Sequence, residues 1–312
     1  MCPIKDGAQY LDALIESVLL QSFTDWELIF IDDHSFDSTL SILKNWSQKD
    51  SRIKVFDNNG HGIIDALKTA LNEASGYYIT RIDADDLMPA DRLYLMKEKL
   101  DQCVGPTIVT GLVKYFSDQP ISEGYQKYEQ WINQINLSNS QWKNIYRECV
   151  IASPNWLMKT DELRAIGGFD QLTYPEDYDL VFRWYQHRFE IKTMNHVTLF
   201  WREHPDRTSR NSNHYDQEHF FNLKIRRFIE LDWNSEPVIL WGNNIKTQLC
   251  SQVFKAHDIP FQKLIISNYQ SIEDHADSQL LVSVYPEPEE RNQMEGYLKK
   301  INRHQGKDWW YV

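Results

Sequence analysis

Cysteine is scarce in this 312-residue chain, and its four cysteines stand far apart, as Cys2, Cys103, Cys149 and Cys250. The sequence has no C-x-x-C pair and no Cys/His spacing typical of zinc. This spacing argues against a structural zinc site and against a disulfide framework. Isolated thiols are typical of a reducing compartment, so we expect a cytoplasmic protein.

Positive charge and long apolar runs are also lacking. The chain carries 33 lysines and arginines against 45 acidic residues, a net charge of −12, whereas a nucleic-acid partner needs a basic face. An anionic substrate would need a metal ion or a local arginine. No apolar run approaches the roughly 20 residues of a membrane span, and Lys5 and Asp6 stand where a signal peptide would be apolar. The inner face of the membrane is left open as a location.

A regular alternation of strand and helix patterns is present instead. Hydrophobic residues make up 42% of the chain and aromatic residues 13%, enough for a sizeable core. Strands are predicted at 26–31, 53–56 and 77–82, and helices at 8–21, 38–47 and 62–74. This alternation predicts βαβ units and a mostly parallel sheet. Such sheets bind ligands beyond the carboxyl ends of their strands.

Carboxylates follow two of these predicted strands. Asp32 and Asp33 end one strand, and the stretch RIDADDLMP at 81–89 places Asp83, Asp85 and Asp86 after another. Crowded carboxylates repel one another unless a cation lies among them. Alternate residues of an extended segment point the same way, so Asp83 and Asp85 can face one ion. The alternative is a turn whose carboxylates are solvated.

Several segments follow one another in an order that resembles the family 2 glycosyltransferases, which have the GT-A fold. They are SVLLQSF at 17–23, WELIFIDDHSFD at 26–37, IDADD at 82–86, GGFD at 167–170, ED at 176–177 and REH at 202–204. The resemblance covers roughly residues 1–215. It implies an α/β fold with a Rossmann-like, mostly parallel central sheet. One departure is Ala66-Leu67-Lys68, where many relatives carry Ala-Arg-Asn or Ala-Leu-Asn, and the role of Lys68 is left open.

The resemblance also implies roles for residues that bind the donor. Asp85 would be the direct ligand of Mg²⁺ or Mn²⁺, and Asp83 would bind the ribose or a metal-bound water. Asp33 would accept from the N3–H of uracil, and Pro3 with its loop would also line the base. Asp32 is left to brace the loop. Capping a helix is the alternative for Asp33.

Two further regions take roles from the resemblance. His204 would be a metal ligand or a phosphate contact, and Arg202 would hold the diphosphate, with Arg207 and Arg210 nearby; a solvated basic loop is the alternative. Asp177, in a Glu-Asp pair at a helix start, would be the general base; a charge that complements the helix dipole is the alternative. Asp86 is left to cap the helix near residue 91 or to lie near the acceptor.

The later part of the chain predicts a second domain. Residues 216–234 are predicted as a connecting helix and 235–312 as a small Rossmann-like α/β domain. The turn after its first strand, LWGNNIKT at 240–247, lacks G-x-G-x-x-G, so a docking or oligomerisation module is favoured over a dinucleotide site. The aromatic and polar stretch at 115–150 is either a lid for a ring-shaped ligand or a peripheral helical excursion.

The functional expectation is a metal-dependent inverting glycosyltransferase. It would move a sugar from a nucleoside diphosphate, with UDP favoured, to a hydroxyl of a saccharide or polyprenol-linked acceptor. Bacterial surface polysaccharide synthesis is the setting by analogy. The rivals are a nucleotidyltransferase, which would want an early glycine-rich basic loop where only Lys5-Asp6-Gly7 stands, and a non-catalytic sugar-nucleotide-binding scaffold. Peripheral membrane contact and homo-oligomer formation are left open.

Overall fold

The computed structural model describes residues 1–207, 211–266 and 269–312, and it divides into two compact units. The first unit contains Met1–Ser140 and Ile151–Arg210, and the second contains Gln141–Val150 and Asn211–Val312. Residues 141–150, part of the predicted excursion, therefore group with the later part of the chain. The predicted division into 1–215, 216–234 and 235–312 stays a proposal.

The first unit begins with a parallel sheet in the order β1-β2-β3. Its strands are β1 (Cys2–Ile4), β2 (Leu28–Asp32) and β3 (Ile53–Asp57). Helices α1 (Ala8–Leu19), α2 (Thr39–Lys49) and α3 (Gly62–Glu73) follow the strands in turn. Every residue of β2 is buried, which explains its continuous apolar run. Helix α1 buries one apolar face, made of Leu11, Leu14, Ile15 and Val18.

A second sheet in the first unit has the order β4-β6-β5-β7. Its strands are β4 (Tyr78–Ile79), β5 (Thr107–Phe116), β6 (Trp156–Lys159) and β7 (Glu190–Arg202). Strand β6 is antiparallel to both neighbours, whereas β5 and β7 are parallel. The Ile82 N–H donates to the Met1 carbonyl at 3.0 Å, so the segment after β4 continues beside β1 and joins the two sheets.

Helices cover this second sheet. They are α4 (Arg92–Asp101), α5 (Glu123–Leu137), α6 (Thr160–Ala165) and α7 (Glu176–Gln186). Strand β7 is continuous, but its pairing is irregular. The register against β5 shifts after Thr110 and after Leu112, and such an irregularity interrupts the alternation by which a strand is recognised.

The second unit has a parallel sheet in the order β11-β10-β8-β9. Its strands are β8 (Val238–Trp241), β9 (Phe261–Leu264), β10 (Gln279–Val282) and β11 (Trp309–Tyr311). Its helices are α8 (Gln217–Leu231), α9 (Ile245–Ala256) and α10 (Pro288–Lys300). The Tyr146 hydroxyl donates to Asp232 at 2.6 Å, and Lys224 donates to the Arg147 carbonyl at 3.2 Å. These bonds tie residues 141–150 into this unit.

Membrane-spanning helices are absent from the part of the chain that the structure describes. None of the helices there combines the length and the apolar character that crossing a bilayer requires.

Candidate active site

The carboxyl ends of three neighbouring segments form one edge of the first unit. The Asp33 N–H donates to the Ile4 carbonyl at 2.8 Å, so the end of β2 lies beside the end of β1. On the other side of β1 runs the segment that leads from Ile82 to Asp83. Because neighbouring strands are ~4.8 Å apart, Asp33 and Asp83 leave the sheet about 10 Å from each other. Pro3 lies within β1, between them.

The acidic stretch after Ile82 is a turn fastened to the end of β7. The Asp86 N–H donates to the Asp83 carbonyl at 3.1 Å and closes the turn. Leu87 and Phe200 then exchange backbone hydrogen bonds of 3.0 and 3.1 Å. The Asp86 carboxylate accepts from the Arg202 N–H at 2.8 Å. Asp86 thus holds β7, and the helix α4 has Asp91 at its N-cap position, so the predicted capping role of Asp86 is wrong.

The contact between the acidic turn and the end of β7 brings three predicted site residues together. Nε2 of His204 lies 2.8 Å from Oδ2 of Asp85, and Nε of Arg202 donates to the Asp85 carbonyl at 2.7 Å. The two terminal nitrogens of Arg202 make no hydrogen bond among the described residues. The guanidinium lies 4.4 Å from the Phe116 ring centroid and 5.1 Å from that of Tyr10, which fixes the direction of its fork.

The carboxylates of this turn are crowded, and one of their oxygen atoms is buried without a partner among the described residues. Asp86 is 1% exposed, and its Oδ2 has no hydrogen-bond partner among the described residues. Burial, with Asp85 and Asp83 adding to it, raises the pKa of Asp86 well above its ordinary value. Burial also raises the pKa of Asp83, although Arg81 works against the shift. A cation among these groups would stabilise their ionised forms.

The residues present fit a divalent cation. Asp85 offers carboxylate oxygens, which suit Mg²⁺ and Mn²⁺. His204 offers Nε2 next to that carboxylate, and its Nδ1 is buried without a hydrogen-bond partner among the described residues. The roles of Asp85 and His204 as metal ligands stay predictions.

The predicted base Asp177 lies in the first turn of α7. Its carboxylate accepts from the N–H of Tyr178 at 2.8 Å. Burial, followed by the neighbouring Glu176, raises the pKa of Asp177 to about 7. A side chain with a pKa near neutrality can both accept and hold a proton under ordinary conditions.

A buried arginine links this pair to the acidic turn. Arg81 is 5% exposed; its Nε donates to Asp83 at 2.7 Å and its terminal nitrogen donates to Glu176 at 3.1 Å. The sequence analysis missed this role. The available signal was the i, i+2 spacing of Arg81 and Asp83 on an extended segment, which places both on one face.

Asp33 is engaged with the loop that precedes α3. Its carboxylate accepts from the Gly62 N–H, 3.0 Å from each oxygen, and from the Asn58 amide at 2.7 Å. Gly62 has a φ of 83°, a conformation that favours glycine. Lys5 Nζ lies 3.9 Å from Oδ2 of Asp33. Asp33 therefore braces the loop before α3, and its contact with the nucleotide base stays a prediction.

A sequence model described as "Glycosyl transferase family 2" matches residues 2–161, just over half of the chain. The chain belongs to this family. The predicted family membership is confirmed. Asp177, Arg202 and His204 lie beyond the matched residues of this family 2 chain.

Curated relatives match part of this family 2 chain. One is the "Putative teichuronic acid biosynthesis glycosyltransferase TuaG" of Bacillus subtilis, 36% identical over 94 residues, which are 29% of this chain and 36% of that protein. For the first three curated relatives, the matched stretch spans only 26%, 14% and 37% of their lengths.

Solved structures resemble the family 2 chain over 96% of its length. TarS of S. aureus (residues 1–349) in complex with UDP has a TM-score of 0.53 at 15% identity, with 78% of that chain covered. The mannosyltransferase PcManGT of Pyrobaculum calidifontis, in complex with GDP-Man and Mn²⁺, has a TM-score of 0.56 at 16% identity, with 84% covered. These likenesses confirm the predicted GT-A fold.

Two basic residues of the family 2 chain form ion pairs with neighbouring carboxylates. Lys68 lies 3.1 Å from Asp170 in an exposed ion pair. Arg207 donates to Glu203 at 3.3 Å. Arg210 lies outside the described residues.

Proposed function

We propose that this protein is a metal-dependent, inverting glycosyltransferase that uses a UDP-sugar. The observation that carries the proposal is the cluster of Asp83, Asp85, Arg202 and His204 around one turn, joined through Arg81 to the Glu176-Asp177 pair. Donor-binding and proton-accepting groups are thereby held at fixed positions relative to each other. Preorganised groups of this kind are what transition-state stabilisation needs.

The donor would lie along the edge between Asp33 and Asp83. UDP is favoured because Asp33 can accept from the uracil N3–H with acceptor positions that its loop contacts do not fill. The structural relatives were solved with UDP or with GDP-Man, so nucleoside diphosphates suit this fold. The free fork of Arg202 would hold the diphosphate oxygens bidentately.

Transfer would proceed by one displacement at the anomeric carbon. The acceptor hydroxyl oxygen forms the new bond to that carbon as the bond to the diphosphate oxygen breaks on the opposite face. Asp177 takes the hydroxyl proton, and the UDP leaves with the electron pair. The divalent cation, held by Asp85 and His204, would neutralise charge that develops on the diphosphate. Arg81 would keep Asp83 and Glu176 in place during the reaction.

The proposed acceptor is a hydroxyl group of a saccharide or of a polyprenol-linked saccharide. The printed name of the Bacillus subtilis relative concerns teichuronic acid biosynthesis, which supports a saccharide or polyprenol-linked hydroxyl and bacterial surface polysaccharide synthesis. The four cysteines are all free thiols, which supports action in the cytoplasm or at the inner face of the membrane.

A thermal-shift panel tests the donor and the metal together. UDP-, GDP-, CMP- and dTDP-sugars are each added with and without Mn²⁺. We expect the largest rise in melting temperature with the UDP-sugar, and only with Mn²⁺. Asp85→Asn should abolish the Mn²⁺-dependent part, whereas Asp161→Asn, an exposed carboxylate on α6, should keep it. A shift that is independent of metal, or no shift with any donor, would contradict the proposal.

A further inference from the structure

Two histidines stand beside Asp33, apart from the acidic turn. One ligand atom from each of Asp33, His34 and His61 lies within 4.8 Å of the other two. The two imidazole rings have centroids 4.8 Å apart and are tilted by 45°. Both histidines are exposed, whereas Asp33 is buried. We infer that these three residues form a second metal site, which takes a borderline transition-metal ion such as Zn²⁺.

The ring of His34 is held in a form that suits ligation. Its Nε2 lies 3.0 Å from the Gly60 carbonyl oxygen. A carbonyl oxygen only accepts, so Nε2 carries the hydrogen and the lone pair stays on Nδ1. A backbone carbonyl on the second ring nitrogen is the usual support of a metal-binding histidine. The left-handed backbone of His34, with a φ of 59°, turns the residue back toward this loop.

The loop that carries His61 is braced before any ion binds. The Asn58 side chain accepts from the Gly60 N–H at 3.1 Å and donates to Asp33 at 2.7 Å. The His61 N–H donates to Asp65 at 3.0 Å. The backbones of the three ligands are thus fixed relative to one another, which lowers the entropy that an ion must overcome on binding.

The donor set and the spacing together favour zinc. Two imidazole nitrogens and one carboxylate, with a water in the fourth position, are a common set for Zn²⁺, whereas Mg²⁺ and Mn²⁺ prefer oxygen ligands. Zinc-to-nitrogen bonds of ~2.0–2.1 Å place ligand atoms about 3.3 Å apart in a tetrahedral site. The ligand atoms must come closer together by up to about 1.5 Å, and rotation of the exposed His61 side chain contributes to this approach.

Asp33 retains capacity for an ion despite its loop contacts. A carboxylate has roughly four acceptor positions. The Gly62 N–H and the Asn58 amide occupy part of them, and the nearest cation is Lys5, 3.9 Å from Oδ2 and half-exposed. A divalent ion would displace Lys5.

Binding of zinc at this site would oppose binding of the donor. This consequence rests on the proposed function, in which Asp33 meets the nucleotide base. One carboxylate cannot serve the zinc ion and the uracil at the same time. Zinc would therefore act as an inhibitor that competes with UDP, at a location separate from the Asp85 cation.

Calorimetric titration of the full chain with Zn²⁺, in excess Mg²⁺ and without nucleotide, tests the site itself. We expect one high-affinity equivalent in the wild type and in Asp85→Asn. His34→Gln and His61→Gln should each weaken it at least about tenfold, since even supporting residues of metal sites cost about 10–100-fold. His187→Gln, another exposed histidine of the first unit, is the matched control and should bind as the wild type. Equal affinity in the wild type and the His34→Gln/His61→Gln double variant would overturn the inference.

A second titration separates the site from the proposed function. UDP is titrated with and without Zn²⁺. Zinc should raise the Kd of UDP in the wild type and much less in His61→Gln. If zinc binds as expected but leaves the Kd of UDP unchanged, the metal site stands and the shared use of Asp33 is overturned. Circular dichroism of each variant excludes loss of folding as the cause.

Discussion

The carboxyl edges of the two units differ in whether their polar groups find partners within the protein. In the first unit, Asp86 Oδ2 and His204 Nδ1 are buried without hydrogen-bond partners among the described residues. In the second unit, Asn244 and Thr247 form a reciprocal capping box at the start of α9. Ser283, at the end of β10, bonds Thr247 at 2.7 Å and accepts from Asn244 at 2.9 Å through its carbonyl.

The backbone of the turn after β8 is closely packed as well. Gly242 has a φ of 144°, and a Cβ at this position would collide with the Ser283 hydroxyl. A dinucleotide turn instead needs glycines that let a pyrophosphate approach the backbone. The carboxyl edge of a parallel sheet is therefore where a site can form. Buried polar groups without partners at that edge indicate that a ligand binds there.

The strongest way to break this comparison is to remove the proposed base, Asp177, from the first edge. Asp177→Asn should keep UDP binding and lower kcat by about 10²–10⁴-fold, the usual contribution of general base catalysis. In the wild type, kcat/KM should rise as the pH passes about 7, because Asp177 must lose its proton to act. Steady-state kinetics across pH and calorimetric UDP binding measure both effects.

The matched control for that experiment is Asp161→Asn, which removes an exposed carboxylate from the same unit. It should preserve both kcat and the pH profile. If Asp177→Asn turned over substrate at the wild-type rate, Asp177 would not be the base, and this residue would not distinguish the two edges.

The next effect concerns the arginine that holds the first edge together. Arg81→Met leaves Asp83 and Glu176 without their shared cation in a buried place, and breaking such a pair costs about 3–5 kcal/mol of unfolding free energy. Denaturant unfolding, followed with a probe in the first unit, measures the loss.

Removal of the second carboxylate should recover part of this stability in Arg81→Met/Glu176→Gln. Lys127→Met, which breaks the exposed pair with Glu123 on α5, should change stability little. If Arg81→Met were as stable as the wild type, the buried link between the turn and α7 would have no energetic weight.

The smallest expected effect comes from a substitution at the carboxyl edge of the second unit. Asn244→Ala removes the capping box of α9 and should cost about 0.5–2 kcal/mol of stability. Because the polar groups of this capping box bond one another and Ser283, UDP affinity and turnover should stay at wild-type values. A loss of UDP affinity with the fold intact would show that the second unit takes part in donor binding.

The sequence alone predicted which residues lie at the carboxyl edge of the first unit, because the carboxyl ends of parallel strands lie on one side of a sheet. It could not reach the partners of these residues. In the sequence, Arg81 is a polar residue before an acidic motif. Only the fold shows that it donates a hydrogen bond to Glu176, which lies 95 residues later. Likewise, residues 141–150 have no local period, and their place follows from long-range bonds such as that between Tyr146 and Asp232.

The fastening of the acidic turn to β7 has a consequence for how the protein is made. Leu87 and Asp86 are held by Phe200 and Arg202, which the ribosome adds more than 110 residues later. A nascent chain released at residue 161 would contain the whole family match and yet lack the strand that secures the turn. The acidic turn therefore reaches its final position late in translation, once β7 has been synthesised and can pair with it.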